Sequence, residues 1–335
     1  MSNYLNIGGV AVPGRVWLAP MTGVSDLPFR LAAADLGANY VATEMVACEQ
    51  LLSSRPDMIR RSAVGAGLPL MVIQLVGADR TAIAGAARLA EAAGAQIIDL
   101  NFGCPAKTVT GAACGSALMR NLDQAQSLIE AAVDAVDVPV TIKMRLGWDE
   151  ASRNAPELAA RAEAAGARAV TVHGRTRNQF YAGVADWRAV ADVKSAVSVP
   201  VIVNGDIVDL AGARDALTRS GADALMIGRG ALGRPWIAAQ IEAGLADRNA
   251  PEPGRETRTR IVLSHLWSSV DFYGEHLGVR MFRKHLAAYI DAAPWAAPGE
   301  SRRLARARLC RLDSAAEIAE TLALLWRADD QRLAA

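Results

Sequence analysis

The amino-acid sequence predicts an α/β protein made of a (β/α)8 TIM barrel followed by a C-terminal helical domain. Eight short apolar segments recur over about the first 230 residues, and stretches of helical periodicity separate most of them. Glycine or proline stands shortly before most of these segments. From about residue 257 onward only helical periodicity remains. An open doubly wound sheet is the alternative fold, because periodicity does not reveal whether a sheet closes.

The predicted strands differ in the residue that introduces them. They lie within residues 15–21, 39–45, 69–77, 95–103, 138–147, 167–175, 199–206 and 222–230. The even-numbered strands follow a glycine suited to a left-handed helix C-cap, namely Gly37, Gly94, Gly166 and Gly221. The third, fifth and seventh strands follow a proline, which a strand start tolerates, namely Pro69, Pro139 and Pro200. The βαβ unit therefore repeats about four times.

The pattern changes after Gly244 and predicts a second domain. We expect the barrel to occupy residues 1–245, a polar linker that contains proline and glycine to occupy 246–256, and a helical domain to occupy 257–335. Basic residues cluster in the segments VRMFRKH (279–285) and SRRLARARLCR (301–311). Each cluster is either a solvated helical face or a surface that binds phosphates.

Composition excludes several classes of protein. The net charge is +1, from 36 basic and 35 acidic residues, so any nucleic-acid site must be a local patch. The scattered cysteines and histidines lack the spacing of a disulfide scaffold or a zinc site, and we expect no metal. The N-terminus lacks the features of a secretory signal, and no apolar run has the length of a membrane span. We expect a soluble, cytoplasmic monomer.

Polar side chains gather on the predicted central strands. Period-2 alternation places three sets of them on common strand faces: Asp99 with Asn101, Thr141 with Lys143 and Arg145, and Thr171 with His173 and Arg175. In a barrel such residues near the carboxyl ends of the strands form the active site. Lys143 is the most informative, because a lysine inside an apolar strand needs an anionic partner.

The segments after the last two strands predict a phosphate site. Gly228 begins a literal G-x-G-x-x-G, and Asn204, Gly205 and Asp206 end the preceding strand. A dinucleotide fold is a weak reading, because no later strand supplies the ribose-binding acid. In a barrel, the loops after strands seven and eight commonly bind phosphate through backbone N–H groups. Arg229 would supply the positive charge.

Cys104 lies in the loop NFGCPA after the fourth strand, at the face where catalysis is expected. An unperturbed thiol has a pKa of about 8.5 and is mostly protonated at neutral pH. It can act as an acid as readily as a nucleophile, and its position does not decide between these roles.

Several segments, in order along the barrel, resemble the tRNA-dihydrouridine synthases. They are LAPMTGVSDLPFR (18–30), IDLNFGCPAK (98–107), IKMRLGW (142–148), TVHGRTR (171–177), VNGDI (203–207) and MIGRGALGRPW (226–236). The helical segment GVRMFRKHLAAYI also resembles the bacterial B-type branch of that family. The resemblance implies an FMN enzyme that reduces uridine in tRNA to dihydrouridine with NADPH, with a hint that the target lies in the D-loop.

The resemblance also implies residue roles. The flavin would be bound by residues on six strands: Pro20, Met21, Thr22, Gln74, Lys143, His173, Asn204, Gly205, Asp206, Gly228 and Arg229. Cys104 would give the proton to uracil carbon 5 while the flavin gives the hydride to carbon 6. The target nucleotide or the rest of the tRNA would be contacted by Asn101, Arg145, Arg175, Arg280, Arg283 and Lys284.

Two other functions fit part of this pattern. A flavin barrel that acts on a free pyrimidine, as a dihydroorotate-type dehydrogenase does, shares the FMN site but has no use for an arginine-rich helical domain. A non-catalytic RNA-binding barrel needs the basic segments alone, and the presence of Cys104, Lys143 and His173 argues against it.

Overall fold

The computed structural model describes residues 4–111, 113–293 and 299–327. Its first strands, β1 (Tyr4–Ile7) and β2 (Val10–Pro13), form an antiparallel hairpin. The parallel strands that follow are β3 (Val16–Leu18), β4 (Val46–Ala47), β5 (Val72–Val76), β6 (Ile97–Phe102), β7 (Val140–Arg145), β8 (Val170–His173), β9 (Val201–Asn204) and β10 (Ala224–Ile227).

These parallel strands curl into a ring. Each strand from β5 to β10 pairs with the next in chain order, and β10 pairs with β3. Single bridges at Leu18–Val41 and Ala42–Val72 join β3 to β5 through the segment that precedes β4. The predicted (β/α)8 barrel is therefore confirmed, and the second predicted strand is the most irregular part of the ring.

Helices alternate with the barrel strands. They are α1 (Leu27–Asp35), α2 (Cys48–Leu52), α3 (Pro56–Arg61), α4 (Arg80–Ala92), α5 (Lys107–Thr110), α6 (Leu122–Val133), α7 (Ala155–Ala164), α8 (Ala189–Ala196), α9 (Leu210–Ser220) and α10 (Ile237–Leu245). Side chains cap several of them, as where Asp79 accepts from Ala82 N at 2.8 Å and Asp209 from Gly212 N at 2.7 Å. Buried alanines such as Ala86 and Ala87 let α4 pack closely on the strands.

The hairpin covers one end of the barrel. Ile7 and Val12 are fully buried and pack with Trp17 and Tyr40, whose rings stack at a centroid distance of 4.2 Å. This end lies opposite the carboxyl ends of the strands, because β3 runs directly from the hairpin into the ring. The hairpin therefore leaves the carboxyl-terminal face of the barrel free for a site.

The remaining helices form a second core beside the barrel. They are α11 (Arg255–Tyr273), α12 (Glu275–Asp291), α13 (Gly299–Leu309) and α14 (Ala315–Arg327). Val262, Phe282 and Ile318 are fully buried there, and Trp236 joins them from the barrel side. The helix α11 begins at Arg255, inside the predicted linker. Glu252 of that linker accepts from Arg258 at 2.6 Å and from Trp236 Nε1 at 3.0 Å.

The helices in the described ranges were also compared with the requirements of a membrane span. None of them combines the length and the apolar character needed to cross a bilayer.

Candidate active site

A two-lobed cavity opens at the carboxyl ends of the barrel strands. The lobes have volumes of about 360 and 570 Å³ and share wall residues, including Met21, Lys143 and His173. The first lobe is completed by Asn204, Gly205, Asp206 and Gly228, and the second by Thr22, Gln74, Asn101, Cys104 and Arg145. The structure thus brings together, around one cavity, residues that lie more than 200 positions apart in the sequence.

The first lobe is shaped by a closely packed glycine, Gly205, and by the carboxylate of Asp206, which we call the acidic hub. Gly205 has φ +121°, and a Cβ there would lie 2.8 Å from Ala185 Cβ and 2.9 Å from His173 Cδ2. The next residue, Asp206, accepts two bonds from Arg175, at 2.6 and 3.0 Å, and one from Arg229 at 3.2 Å. The hub therefore holds the exposed guanidinium of Arg229 at the edge of this lobe.

Lys143 lies between the lobes. Its Nζ donates to Asn204 Oδ1 at 3.1 Å, and Asn204 Nδ2 donates to Met226 O at 2.7 Å. Burial and, to a smaller extent, the nearby Arg145 lower the pKa of Lys143 to about 8, whereas Asp99 and Cys104 oppose the shift. The ammonium group is therefore costly to keep charged unless an anion binds beside it.

Two side chains hold Cys104 in place through hydrogen bonds to its backbone. Its N–H donates to Asn101 Oδ1 at 2.9 Å, and its carbonyl accepts from Ser116 Oγ at 2.8 Å. Burial raises the pKa of the thiol above its ordinary value, although the positive charges of Arg145 and Lys143 counteract this. The thiol therefore keeps its proton at neutral pH.

His173 ends β8 and lines both lobes. Burial lowers the pKa of its imidazole well below the ordinary value, and Lys143, Arg145, Arg175 and Arg229 lower it further. The ring is consequently neutral. Its Nε2 lies 3.4 Å from Arg175 Nη1, which can only donate, so the ring proton is on Nδ1.

The family model described as dihydrouridine synthase matches residues 17–310, which is most of the chain. This chain belongs to the dihydrouridine synthase family. It is 51% identical over 334 residues to a probable tRNA-dihydrouridine synthase of Rhodobacter capsulatus, and the match covers 99% of each chain. It is 44% identical over 292 residues to tRNA-dihydrouridine synthase B of Pseudomonas putida, over 87% of this chain and 86% of the relative.

Solved structures resemble the fold of this dihydrouridine synthase. Histamine dehydrogenase from Rhizobium sp. 4-9 superimposes with a TM-score of 0.56 at 14% identity, over 79% of this chain and 50% of the other. A morphinone reductase mutant superimposes with a TM-score of 0.52 at 14% identity, over 75% and 92% of the two chains. At this identity the likeness shows the fold alone.

Two arginines of the synthase that were predicted to contact substrate are engaged within the protein. Arg145 donates to the carbonyls of Gly103, Thr176 and Phe180, at 2.8–2.9 Å. Arg175 is 1% exposed, and besides Asp206 it donates to the carbonyls of Ala182 and Gly183. Arg145 still lines the second lobe, whereas the contacts of Arg175 suit a residue that positions the loop after β8.

Sequence reasoning missed the adjacent aromatics Phe180 and Tyr181. Both line the second lobe, and Tyr181 also lines the first. The guanidinium carbon of Arg229 lies 4.8 Å from the Tyr181 ring centroid and that of Arg145 lies 5.7 Å away. The available signal was a pair of aromatic residues in a polar loop directly after a barrel strand.

The predicted tRNA-binding side chains on α12 have different surroundings. Arg280 is exposed. Arg283 donates to Leu312 O and pairs with Asp313. Lys284 is partly buried and faces the barrel, since its Nζ would lie 3.8 Å from a Cβ on Gly23. In the second basic segment, Arg306 pairs with Asp291 at 2.8 Å.

A buried trio lies between the barrel and the helices of the synthase. Asp26, His265 and His285 each place one ligand-type atom within 4.8 Å of the others. Burial lowers the pKa of both histidines, and the charge of Lys284 lowers it further. The two imidazoles are therefore neutral. They pack at the N-terminus of α1, where His285 stacks on Phe29 and Asp26 accepts from Phe29 N at 3.1 Å.

Proposed function

We propose that this chain is a tRNA-dihydrouridine synthase that uses FMN and NADPH to reduce the 5,6 double bond of a uridine in the tRNA D-loop. The proposal rests chiefly on one observation: the thiol of Cys104 shares a cavity with Lys143. Burial raises the pKa of that thiol, which favours its protonated form. The names of the relatives from Rhodobacter capsulatus and Pseudomonas putida support the substrate class. A tRNA substrate implies a cytoplasmic enzyme, and we propose that it acts as a monomer.

The cavity fits a flavin mononucleotide. Pro20, Met21, Thr22 and Gln74 would hold the flavin ring. Lys143 would face the N1/C2-carbonyl edge of the ring, and that edge would be the anionic partner that the buried ammonium group needs. His173 would pack near the ribityl chain. The ribityl chain and the phosphate would be held in the first lobe by Asn204, Gly205, Asp206, Gly228 and Arg229. In this lobe the backbone lines the cavity directly and the guanidinium of Arg229 is exposed. When bound and reduced by NADPH, FMN supplies the hydride for uracil carbon 6.

Cys104 would complete the reaction as the general acid. Its S–H proton goes to uracil carbon 5 as carbon 6 is reduced, and the resulting thiolate takes a proton from solvent. The lysine and arginine beside Cys104 stabilise that thiolate when it forms. A buried thiol near two cations therefore suits one proton transfer per turnover.

The substrate would be held by two regions. Asn101 lies beside Cys104 and would contact the target base, which must leave its stack to enter the cavity. Arg280 and Lys284, one helical turn apart, would bring tRNA phosphates toward the loop at Thr22, with Arg283 beside them. Arg145 and Arg175 would act on the substrate chiefly by shaping the loops around it.

The decisive experiment is Cys104→Ala with Cys310→Ala as the matched control. We expect Cys104→Ala to retain FMN and to lose dihydrouridine formation by a factor of about 10²–10⁴, which is the usual contribution of a general acid. Nucleoside mass spectrometry of unmodified tRNA, mapped by position, measures the product and its site, and replacing NADPH by NADH tests the reductant.

Full activity of Cys104→Ala would overturn the acid role. Reduction of a free pyrimidine but not of tRNA would overturn the substrate class. Dihydrouridine outside the D-loop would overturn the assigned position alone.

A further inference from the structure

Asp99 lies beneath the cavity and is the first member of a chain of side-chain hydrogen bonds. It is 3% exposed, and its two carboxylate oxygens accept from Gln74 Nε2 and from Thr141 Oγ, both at 2.7 Å. The strand register places Asp99 opposite Gln74 on β5 and opposite Thr141 on β7. Asp99 lines neither lobe of the cavity.

The chain continues from Gln74 to the loop of Cys104. Gln74 Oε1 accepts from Asn101 Nδ2 at 2.8 Å. Asn101 Oδ1 then accepts from Gly103 N at 3.1 Å and from Cys104 N at 2.9 Å. One buried carboxylate is thus joined to the catalytic loop through two amide side chains.

The carboxylate at one end of this series of hydrogen bonds and the two backbone N–H groups at the other end favour the same direction. A side-chain amide can present either its oxygen or its nitrogen to a neighbour, whereas an ionised carboxylate only accepts. Asp99 therefore requires the nitrogen of Gln74, which leaves the oxygen of Gln74 to require the nitrogen of Asn101. The oxygen of Asn101 is then the atom that meets the N–H groups of Gly103 and Cys104.

Asp99 is ionised at neutral pH, as this direction requires. Burial raises the pKa of Asp99 to about 6, while the bonds from Gln74 and Thr141 and the charge of Lys143 hold it below that of a fully desolvated acid. Each amide also keeps one N–H outside the chain, so Gln74 and Asn101 have donors left for acceptor atoms of a ligand.

We propose that Asp99 is a positioning residue that fixes the amide orientations of Gln74 and Asn101 and thereby holds the Cys104 loop in place. Its effect on catalysis rests on the proposed function, whereas its effect on the loop does not. With the direction of the chain reversed, Asn101 would turn its NH2 group toward two backbone N–H donors, and both bonds to the loop would be lost.

The test compares Thr141→Val with Asp99→Asn/Thr141→Val. Valine removes the hydroxyl but leaves the carboxylate, so the chain keeps its direction. Both variants also carry Tyr40→Phe, which removes the phenol that hydrogen-bonds to Thr141 and lies near Asp99. With valine at 141, an asparagine at 99 can pair only its oxygen or only its NH2 group with Gln74, so it no longer favours the native direction and the reversed form gains population. Hydrogen exchange of the Gly103 and Cys104 amides, measured in a peptide that begins at or before residue 101, reports the two loop bonds.

We expect exchange of this peptide to be unchanged in Thr141→Val and about tenfold faster in the double variant. Adding Asn101→Asp should restore protection, because the new carboxylate can accept from both Gln74 and the loop, whereas general loosening would not be rescued. Equal exchange in the two Thr141→Val backgrounds, or no rescue, would overturn the proposal. If the double variant does not fold, Asp99→Asn alone should give intermediate exchange, and unchanged exchange there would also overturn it.

Activity separates this inference from the proposed function. We expect the double variant to lose kcat for dihydrouridine formation about tenfold or more, with KM for tRNA within about twofold of Thr141→Val. If the parent makes no dihydrouridine, the proposed function fails, while the exchange experiment still decides the role of Asp99.

Discussion

Lys143 shows how one residue joins the fold to the chemistry. Period-2 alternation on β7 predicts that it faces the same way as Thr141 and Arg145, and the register with Asp99 and Asn101 confirms this. Its pKa of about 8 leaves the ammonium charged at neutral pH but close to losing its proton. The residue can therefore respond to an anion that binds beside it.

We expect dihydrouridine formation to fall as pH rises through about 8, because a depressed lysine pKa means that the charged form is lost early. The titratable groups near Lys143 include Arg145, Asp99, Cys104 and His173. Neither the thiol nor the imidazole explains a fall in rate near pH 8, because the thiol pKa is raised and the imidazole pKa is lowered. Single-turnover rates between about pH 7 and 9 measure the effect. Lys143→Met should have a low single-turnover rate that does not change with pH. Lys107→Met, at an exposed position, should keep the fall in rate above pH 8. A rate that rises through pH 8 would show that the neutral amine is the active form.

At this scale the sequence predicted which residues reach the site but not which atoms pair. Asn101, Lys143 and Cys104 lie around one cavity because barrel strands carry their polar residues to one end. The bond from Arg175 to Asp206 joins the loops that follow β8 and β9, and no local pattern predicts it. Aromatic residues in loops, such as Tyr181, follow no periodic pattern, so the direction of their side chains cannot be predicted from the sequence.

Single elements were predictable where they were regular. Strands β5 to β10 lie within the predicted apolar segments, because buried parallel strands have continuous apolar sequence. The β1–β2 hairpin was not predicted, although Gly8 and Gly9 between two apolar runs are a hairpin signal. The second barrel strand is broken into single bridges, which periodicity does not reveal.

The loop after β9 offers a test of how an element shapes the site. Gly205→Ala would place a methyl group against Ala185 and His173, whereas at Gly221, with φ +61°, no atom lies within 4 Å of the new Cβ. Gly221→Ala bears the left-handed backbone cost, on the order of 1–2 kcal/mol, whereas Gly205 at φ +121° lies in a region essentially confined to glycine and its substitution costs more. We expect Gly205→Ala alone to lose bound FMN, measured as the flavin-to-protein absorbance ratio alongside thermal unfolding. Full flavin content in Gly205→Ala would contradict the assigned cofactor lobe.

The whole molecule is more tightly joined than its predicted domain boundaries suggest. Trp236 comes from the barrel side but is buried in the helical core, and Tyr273 of α11 donates to Asp26 of the barrel at 3.2 Å. Removing residues 255–335 would expose Trp236 and break the contacts of Glu252 with Arg258. Truncation would therefore disturb the barrel itself, and point substitutions are the cleaner test of the helical region.

The sequence predicted two regions because periodicity changes where the barrel ends, but their packing is set by side chains distant along the chain. Lys284 faces Gly23 in one such contact. This contact places α12 beside the loop at Gly23, which leads into the cavity. Arg280 lies one turn earlier on the same helix and is exposed. The exposed Arg280 thus lies one helical turn from a lysine beside the cavity loop, and Asp26 and Glu44 lie near that lysine.

We expect Arg280→Ala to weaken tRNA binding and to reduce the slope of log K against log salt by about 0.7–0.9, the value for one lost phosphate contact. Arg88→Ala, on the exposed outer face of α4, is the matched control and should change neither quantity. Equilibrium binding of unmodified tRNA at several salt concentrations measures both, and FMN content should be unaffected in each variant. If Arg280→Ala binds with the affinity and slope of the parent, Arg280 makes no phosphate contact and its assignment to tRNA binding is wrong.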